Sequence, residues 1–225
     1  MPKRAYSSPR RAAEAARTRE LILDATATLC ARDGYAATTL KAIAAEAGVS
    51  VQSVTAAGQK ATLLIGAFER VFSGTEGRES LSERPDVAAI MGQPDSEVAI
   101  EQYLDYIAEA NRRTFGVVRA MEMAAQVDSQ AAAALADLEE RRRSDMDIAA
   151  GWFAERGLID GEDAPRLAVE LGYVVGGEAY AYFVSLNGWS FEEYRAWSGR
   201  ALRALLRPMF TSSPSSTSSR SSRRS

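Results

Sequence analysis

The sequence predicts an all-α chain: an N-terminal three-helix, homeodomain-like helix-turn-helix domain followed by a larger helical C-terminal domain. Three observations carry this. Apolar residues recur at helical spacing from Arg10 to about Pro208, and no stretch alternates apolar and polar side chains as a strand would. Two short helices flank a tight Gly-containing turn within TTLKAIAAEAGVSVQSVTAAGQKATLL, residues 38–64. Charge is strongly segregated: residues 1–72 carry ten Lys/Arg and six Asp/Glu, residues 73–193 ten and twenty-four, and residues 194–225 seven Arg and no acid. The net charge of −3 therefore hides a basic N-terminal part able to face phosphates.

The first helix is expected over Arg17–Arg32, with Leu21, Ile22, Ala25, Thr28 and Leu29 on one side and Gly34 in the left-handed position past its end. In the second, Leu40, Ile43, Ala44 and Ala47 form one stripe, and Gly48 stops it. Ser50 is placed to cap the third helix. Val51, Gln52, Ser53 and Thr55 are small or polar and leave only Val54 to pack inward, so the N-terminus of this helix is free to enter a DNA major groove. A fourth helix follows Lys60 with Leu63, Leu64, Ala67, Phe68 and Val71 apolar. Residues 74–94 are rich in breakers and hold at most a short helix near Asp86–Met91. Beyond Asp95, helices are expected over Glu97–Arg113, Thr114–Gln126, Gln130–Arg156, Asp163–Leu186 and Phe191–Leu206. The domain boundaries are then 1–16 for a basic arm, 17–64 for the helix-turn-helix domain, 65–208 for the helical C-terminal domain, and 209–225 for a Ser/Arg-rich, disordered tail.

Composition excludes several functions. The chain has no histidine and one cysteine, Cys30, which removes His-dependent triads, the common zinc sites and any internal disulfide. No coherent nucleophile and base remain, so an enzyme is not expected. No cofactor or metal is expected either. There is no apolar run long enough for a membrane span and no signal-peptide core, which points to the cytoplasm.

From Arg17 to about Leu64 the chain resembles the tetracycline-repressor (TetR) family of bacterial regulators. The resemblance is carried by TRELILDATATLCARDGYAATTLKAIAAEAGVS and by the Lys60-Ala-Thr-Leu-Leu that follows. The later stretch GGEAYAYFVSLNGWSFEEYRAWSGRALRALL resembles the last two helices of one branch of that family. The resemblance implies a homodimeric transcriptional regulator, most simply a repressor released from a palindromic operator by a small apolar or aromatic effector. The alternative is a helical ligand-binding protein whose DNA binding is weakened or lost. One departure bears on that choice. Thr55 stands where the family carries a Tyr that touches phosphate, and Ala56-Ala57-Gly58-Gln59-Lys60 is one residue short and lacks the aromatic that packs the recognition helix.

The resemblance places Ser50, Val51, Gln52, Ser53 and Thr55 in the major groove. Gln52 suits bidentate pairing with adenine, Val51 a thymine methyl and Ser53 several bases. Thr39 and Lys60 are expected to hold phosphates, and Lys41 completes the DNA-binding set. The basic residues Lys3, Arg4, Arg10, Arg11, Arg17 and Arg19 are expected either to add phosphate or minor-groove contacts or to form a disordered basic end that raises only non-specific affinity. For the effector pocket, the large side chains of the middle helices are Tyr103, Tyr106, Phe115, Met121, Met123, Trp152 and Phe153, whose competing role is to fill the core. Glu178, inside an apolar run, is expected to be a buried carboxylate with an Arg or ligand amine as partner. The dimer interface is expected on the last two helices, through Leu171, Val175 and Ala179 on one and Tyr194, Trp197, Ala201 and Leu205 on the other, the alternative being an intramolecular core built from the same residues. Gly172, Gly176 and Gly177 allow close helix approach.

Overall fold

The computed structural model describes residues 9–74 and 84–206, which are helical without a strand. The remainder of the expected basic arm (1–8, including Lys3 and Arg4) and the Ser/Arg tail lie outside the described residues.

Helix α1 (Pro9–Ala37) is longer than expected and takes in half of the predicted arm. Its buried face is Ile22, Leu23, Ala25, Thr26, Leu29 and Cys30; Leu21 and Thr28, expected on that face, are exposed. Gly34 does not end the helix in the left-handed well. It kinks it (φ 82°, ψ 166°), and one further turn follows, held by Thr38 Oγ1 donating to the Gly34 carbonyl at 2.9 Å.

Helix α2 (Leu40–Ala47) begins at Thr39, whose hydroxyl accepts from the Ala42 N–H, and ends at Gly48 in the left-handed region (φ 65°, ψ 30°). Helix α3 (Val51–Ala57) is capped by Ser50 Oγ, which accepts from the Ser53 N–H at 3.0 Å. Such side-chain caps supply acceptors to amides that have no partner inside the helix. Helix α4 (Lys60–Ser73) runs out of this domain into the rest of the molecule.

The first core joins Ile22, Leu29, Ile43, Val54, Leu63 and Leu64 to Val117 and Met121 of α6 (Ser96–Ala125) and to Ala131 and Leu138 of α7 (Ser129–Glu155). The helix-turn-helix unit therefore shares a core with the C-terminal helices. At the crossing of α1 and α6, a Cβ on Gly116 would lie 2.6 Å from Ala31 Cβ, so glycine is what lets the two backbones meet.

Helix α5 (Pro85–Met91) precedes α6, which is capped by Asp95. The break expected at Thr114 is absent, because Thr114 turns its hydroxyl back to the Ala110 carbonyl at 2.8 Å within the helix. After a 3₁₀ turn at Gly161–Asp163 come α8 (Ala164–Val174), α9 (Gly177–Tyr180), which runs on as a π-helical stretch (Ala181–Leu186), and α10 (Phe191–Leu205) with a Ser190/Glu193 capping box. The single helix expected over 163–186 is thus broken at Val175-Gly176. A second core gathers Ile100, Leu104, Phe153, Leu167, Leu171 and Leu202, and a smaller one Ala179, Tyr180 and Tyr194.

This corrects the expected dimer stripe. Leu171, Val175, Ala179 and Tyr194 are between 0% and 4% exposed within one protomer, so its own core already uses them. Trp197, Ala201 and Leu205 are half-buried, whereas Tyr173, Tyr182 and Leu186 of the same region are exposed. Two arginines fasten α10 to α6. Arg195 reaches Glu101 at 2.5 Å and Asp105 at 2.6 Å, and Arg203 pairs with Glu97 at 3.2 Å and with Glu101.

Candidate nucleic-acid interface and effector cavity

Ser50, Val51, Gln52 and Thr55 are exposed and Ser53 is half-buried, while Val54 is wholly buried. One side chain seats α3, and the others are displayed together around its N-terminal turn. Thr39 and Lys41 are exposed beside them at the start of α2. Two of the expected DNA-facing groups have internal duties. Thr55 Oγ1 donates to the Val51 carbonyl at 3.0 Å, so its proton is engaged within the helix. Lys60 Nζ donates to the carbonyls of Tyr35 (2.8 Å) and Thr38 (3.0 Å) and lies 4.0 Å above the Tyr35 ring. Lys60 therefore acts first as a strut closing the end of α1, with one N–H left over.

The shortened turn after α3 is compensated locally. Gly58 adopts φ 147°, ψ 178°, a backbone region essentially reserved for glycine, and its N–H closes α3 on the Val54 carbonyl. Arg19 Nη1 donates to the Ala57 carbonyl at 2.8 Å, a charged partner for the free C-terminal end of α3. A polar tie from α1 thus holds a recognition helix that lacks a packed ring. Arg10, Arg11 and Arg17 project, half-exposed or exposed, from the same helix.

Two contacts bind this unit to α7. Tyr35 Oη donates to Asp128 Oδ2 at 2.9 Å, while Asp128 Oδ1 caps α7 by accepting from Gln130 and Ala131 N–H. Gln130 Nε2 also reaches Thr62 Oγ1 at 3.0 Å. The Ala131 amide, then the Tyr35 hydroxyl, hold the Asp128 carboxyl below its usual range. Burial and the neighbouring carboxylate push the Tyr35 phenol up to about 12. Sequence reasoning did not single out Tyr35, Asp128 or Arg19 for these ties, since nothing local marks partners 93 or 38 positions apart.

A cavity of about 580 Å³ lies between α4, α6, α7 and the α8–α9 break. Its apolar walls include Phe68 and Phe72 of α4, Ile107, Phe115 and Val118 of α6, and Leu138 of α7. Of the side chains expected to line a pocket, only Phe115 and Glu178 do so. Met121 is buried against α1 and α4, Met123 is 54% exposed, and Phe153 fills the second core. Tyr103 and Trp152 border a separate space of about 20 Å³, enough for one water molecule, and Tyr106 lines neither. Glu178 is not buried: its carboxylate is 62% exposed and faces Arg142 at 3.5 Å. Both lie over Gly176, where a Cβ would sit 2.2 Å from the Gly172 carbonyl oxygen.

Residues 22–56 match the family model of bacterial regulatory proteins of the tetR family, spanning α2, most of α3 and the buried half of α1. The family model covers this helix-turn-helix unit. Solved structures extend the likeness in fold across most of the chain. A protein assigned as a transcriptional regulator from Pseudomonas aeruginosa PAO1 superposes with TM-score 0.62 at 17% identity, over 90% of this chain and 93% of its own. One from Saccharomonospora viridis, in complex with choline, gives 0.63 at 19%, over 81% and 93%. A TetR-family protein from Mesorhizobium loti MAFF303099 gives 0.65 at 21%, over 85% and 96%. No protein of curated function matches the chain by sequence. The described residues therefore share the all-α fold of these proteins, with the tetR-family match lying on their helix-turn-helix unit. None of its described helices is long and apolar enough to cross a membrane.

Proposed function

We propose that this regulator is a cytoplasmic, homodimeric repressor that binds a pseudo-palindromic operator and leaves it when a small effector fills the α4–α6–α7 cavity. The observation that carries the reading is the position of α4. One end of this helix joins, through Leu63 and Leu64, the core in which Val54 of the recognition helix is buried, and the other lines the cavity through Phe68 and Phe72. A ligand shifts DNA affinity only by the difference in its affinity for the two states, and α4 is the element both sites share.

In this reading Ser50, Val51, Gln52 and Ser53 face base edges, with Gln52 the main reader. Thr39, Lys41 and the remaining N–H of Lys60 face phosphates, and Arg10, Arg11 and Arg17 reinforce them. The domain division is a helix-turn-helix unit over 17–64 and an effector and dimerisation unit over 65–208. The partner face is drawn from Tyr173, Tyr182, Leu186, Trp197 and Ala201. Support comes from the exposure of large apolar side chains on these last helices, since such surface is usually covered in an assembly. The choline complex of the Saccharomonospora viridis protein supports a ligand-holding cavity in this fold.

The test is selection of genomic DNA by the full chain, then sedimentation of the complex. Two protomers on a site with inverted repeats are expected. No enriched sequence, or one protomer on an asymmetric site, overturns the reading.

A further inference from the structure

We propose that the cavity takes an amphipathic organic anion, a carboxylate on an apolar body, with Arg141 as its anchor and Arg142 as a second donor. This rests on the reading of the cavity as the effector site and names the chemical class it selects.

Arg141 carries the argument. It lies in the cavity wall on α7 with its Nε fully buried and without a hydrogen-bond partner. Its ion pair with Asp137, one turn earlier on the same helix, is at 3.3 Å without hydrogen-bond geometry, and Asp137 is 40% exposed. A buried guanidinium N–H that meets its carboxylate only outside hydrogen-bond geometry is incompletely satisfied, and a planar oxyanion is an acceptor that matches its fork. The next residue, Arg142, lines the same wall and, among the described residues, pairs with Glu178 at 3.5 Å, a contact loose enough to exchange for a ligand oxygen.

The other charged groups at the wall do not compete. Glu122 is taken by Arg119 at 2.6 Å, Asp145 has interactions of its own, and Glu139 is exposed at the rim. Across from the arginines, Asn111 donates through Nδ2 to the Val175 carbonyl (2.8 Å) and the Tyr194 hydroxyl (3.1 Å). The remaining surface, from Phe68 and Phe72 to Phe115 and Val118, suits a hydrocarbon or aryl body.

The test compares three probes sharing one apolar chain, decanoate, 1-decanol and decyltrimethylammonium, by titration calorimetry on the full-length protein. Decanoate is expected to bind at least about tenfold tighter than either of the others, the worth of one charge-assisted contact. Arg141→Gln is expected to remove that advantage while leaving the affinity for 1-decanol unchanged. Arg141→Lys, which keeps the charge without the fork, should retain part of it. Val118→Trp, which fills the cavity, should abolish binding of all three. If the ammonium or the alcohol binds as tightly as decanoate, or Arg141→Gln leaves decanoate binding intact, the anion proposal is overturned and the effector cavity stands. If none of the three binds, the effector-cavity reading falls and takes the proposal with it.

Discussion

At the scale of single residues, few groups are displayed and many are fasteners. Gln52 has its whole amide free for a base edge, whereas Thr55 and Lys60 at the same interface are engaged inside the protein. Replacing Gln52 by Ala should therefore relax sequence preference at one operator position by about 1–3 kcal/mol and leave non-specific affinity almost unchanged. Competition mobility shifts with single-base operator variants read this directly. Lys60→Ala should act differently, lowering the melting temperature because the carbonyls of Tyr35 and Thr38 lose their donor. Asp128 adds a pH dependence. Its carboxyl is held below the usual range by the Ala131 amide and the Tyr35 hydroxyl, so its folded pKa is depressed. That stabilisation is complete above the unfolded carboxylate pKa of about 3.9 and is lost as pH falls through the folded value. Thermal melts between neutral and strongly acid pH should show the loss, and Asp128→Asn should shrink it.

At the scale of elements, what the sequence makes legible is what local chemistry decides. Ser50 and Gly48 bracket the turn where a hydroxyl cap and a left-handed glycine are needed, and α2 ends and α3 begins where those signals stand. Asp95, Asp128 and Ser190 mark three later helix starts in the same way. The rest depends on partners far along the chain. Thr114 resembles a helix start but bonds back into a continuous α6. Met121 and Phe153 are large and apolar like pocket residues, yet their helix faces meet other helices, and only tertiary packing decides that. The break at Val175-Gly176 escaped notice because the glycine serves a close approach rather than a turn. Gly176→Ala would drive a methyl into the Gly172 carbonyl and the Glu178–Arg142 pair. A cost of about 1–3 kcal/mol is expected, a melting-temperature fall of roughly 2–12 °C for a chain of this size. Differential scanning calorimetry measures it. Gly116→Val should act at the α1–α6 crossing, where Ala31 leaves no room for a side chain.

At the scale of the whole molecule, the helix-turn-helix unit and the cavity proposed for the effector are neighbours joined by two routes. One is α4, whose Phe68 and Phe72 wall the cavity; the other is α7, bolted at Asp128 to Tyr35 and lining the cavity at Leu138, Arg141 and Arg142. Tyr35→Phe removes the second bolt without touching either site, so it should leave operator affinity and ligand affinity near wild type and weaken the effect of one on the other. Charge distribution is consistent with the proposed division: the first 72 residues are net basic and suited to phosphates, whereas residues 73–193 carry a net −14. Binding to operator DNA should accordingly weaken steeply with salt, as released counterions are recaptured. The most direct test of the central claim is fluorescence anisotropy of the full chain on its genomically selected DNA across a salt series, with wild type and Gln52→Ala in parallel. The account predicts a linear fall of log K with log salt for both proteins, and a sequence preference that Gln52→Ala reduces. Salt-independent binding, or equal affinity for selected and scrambled DNA in the wild type, would contradict it.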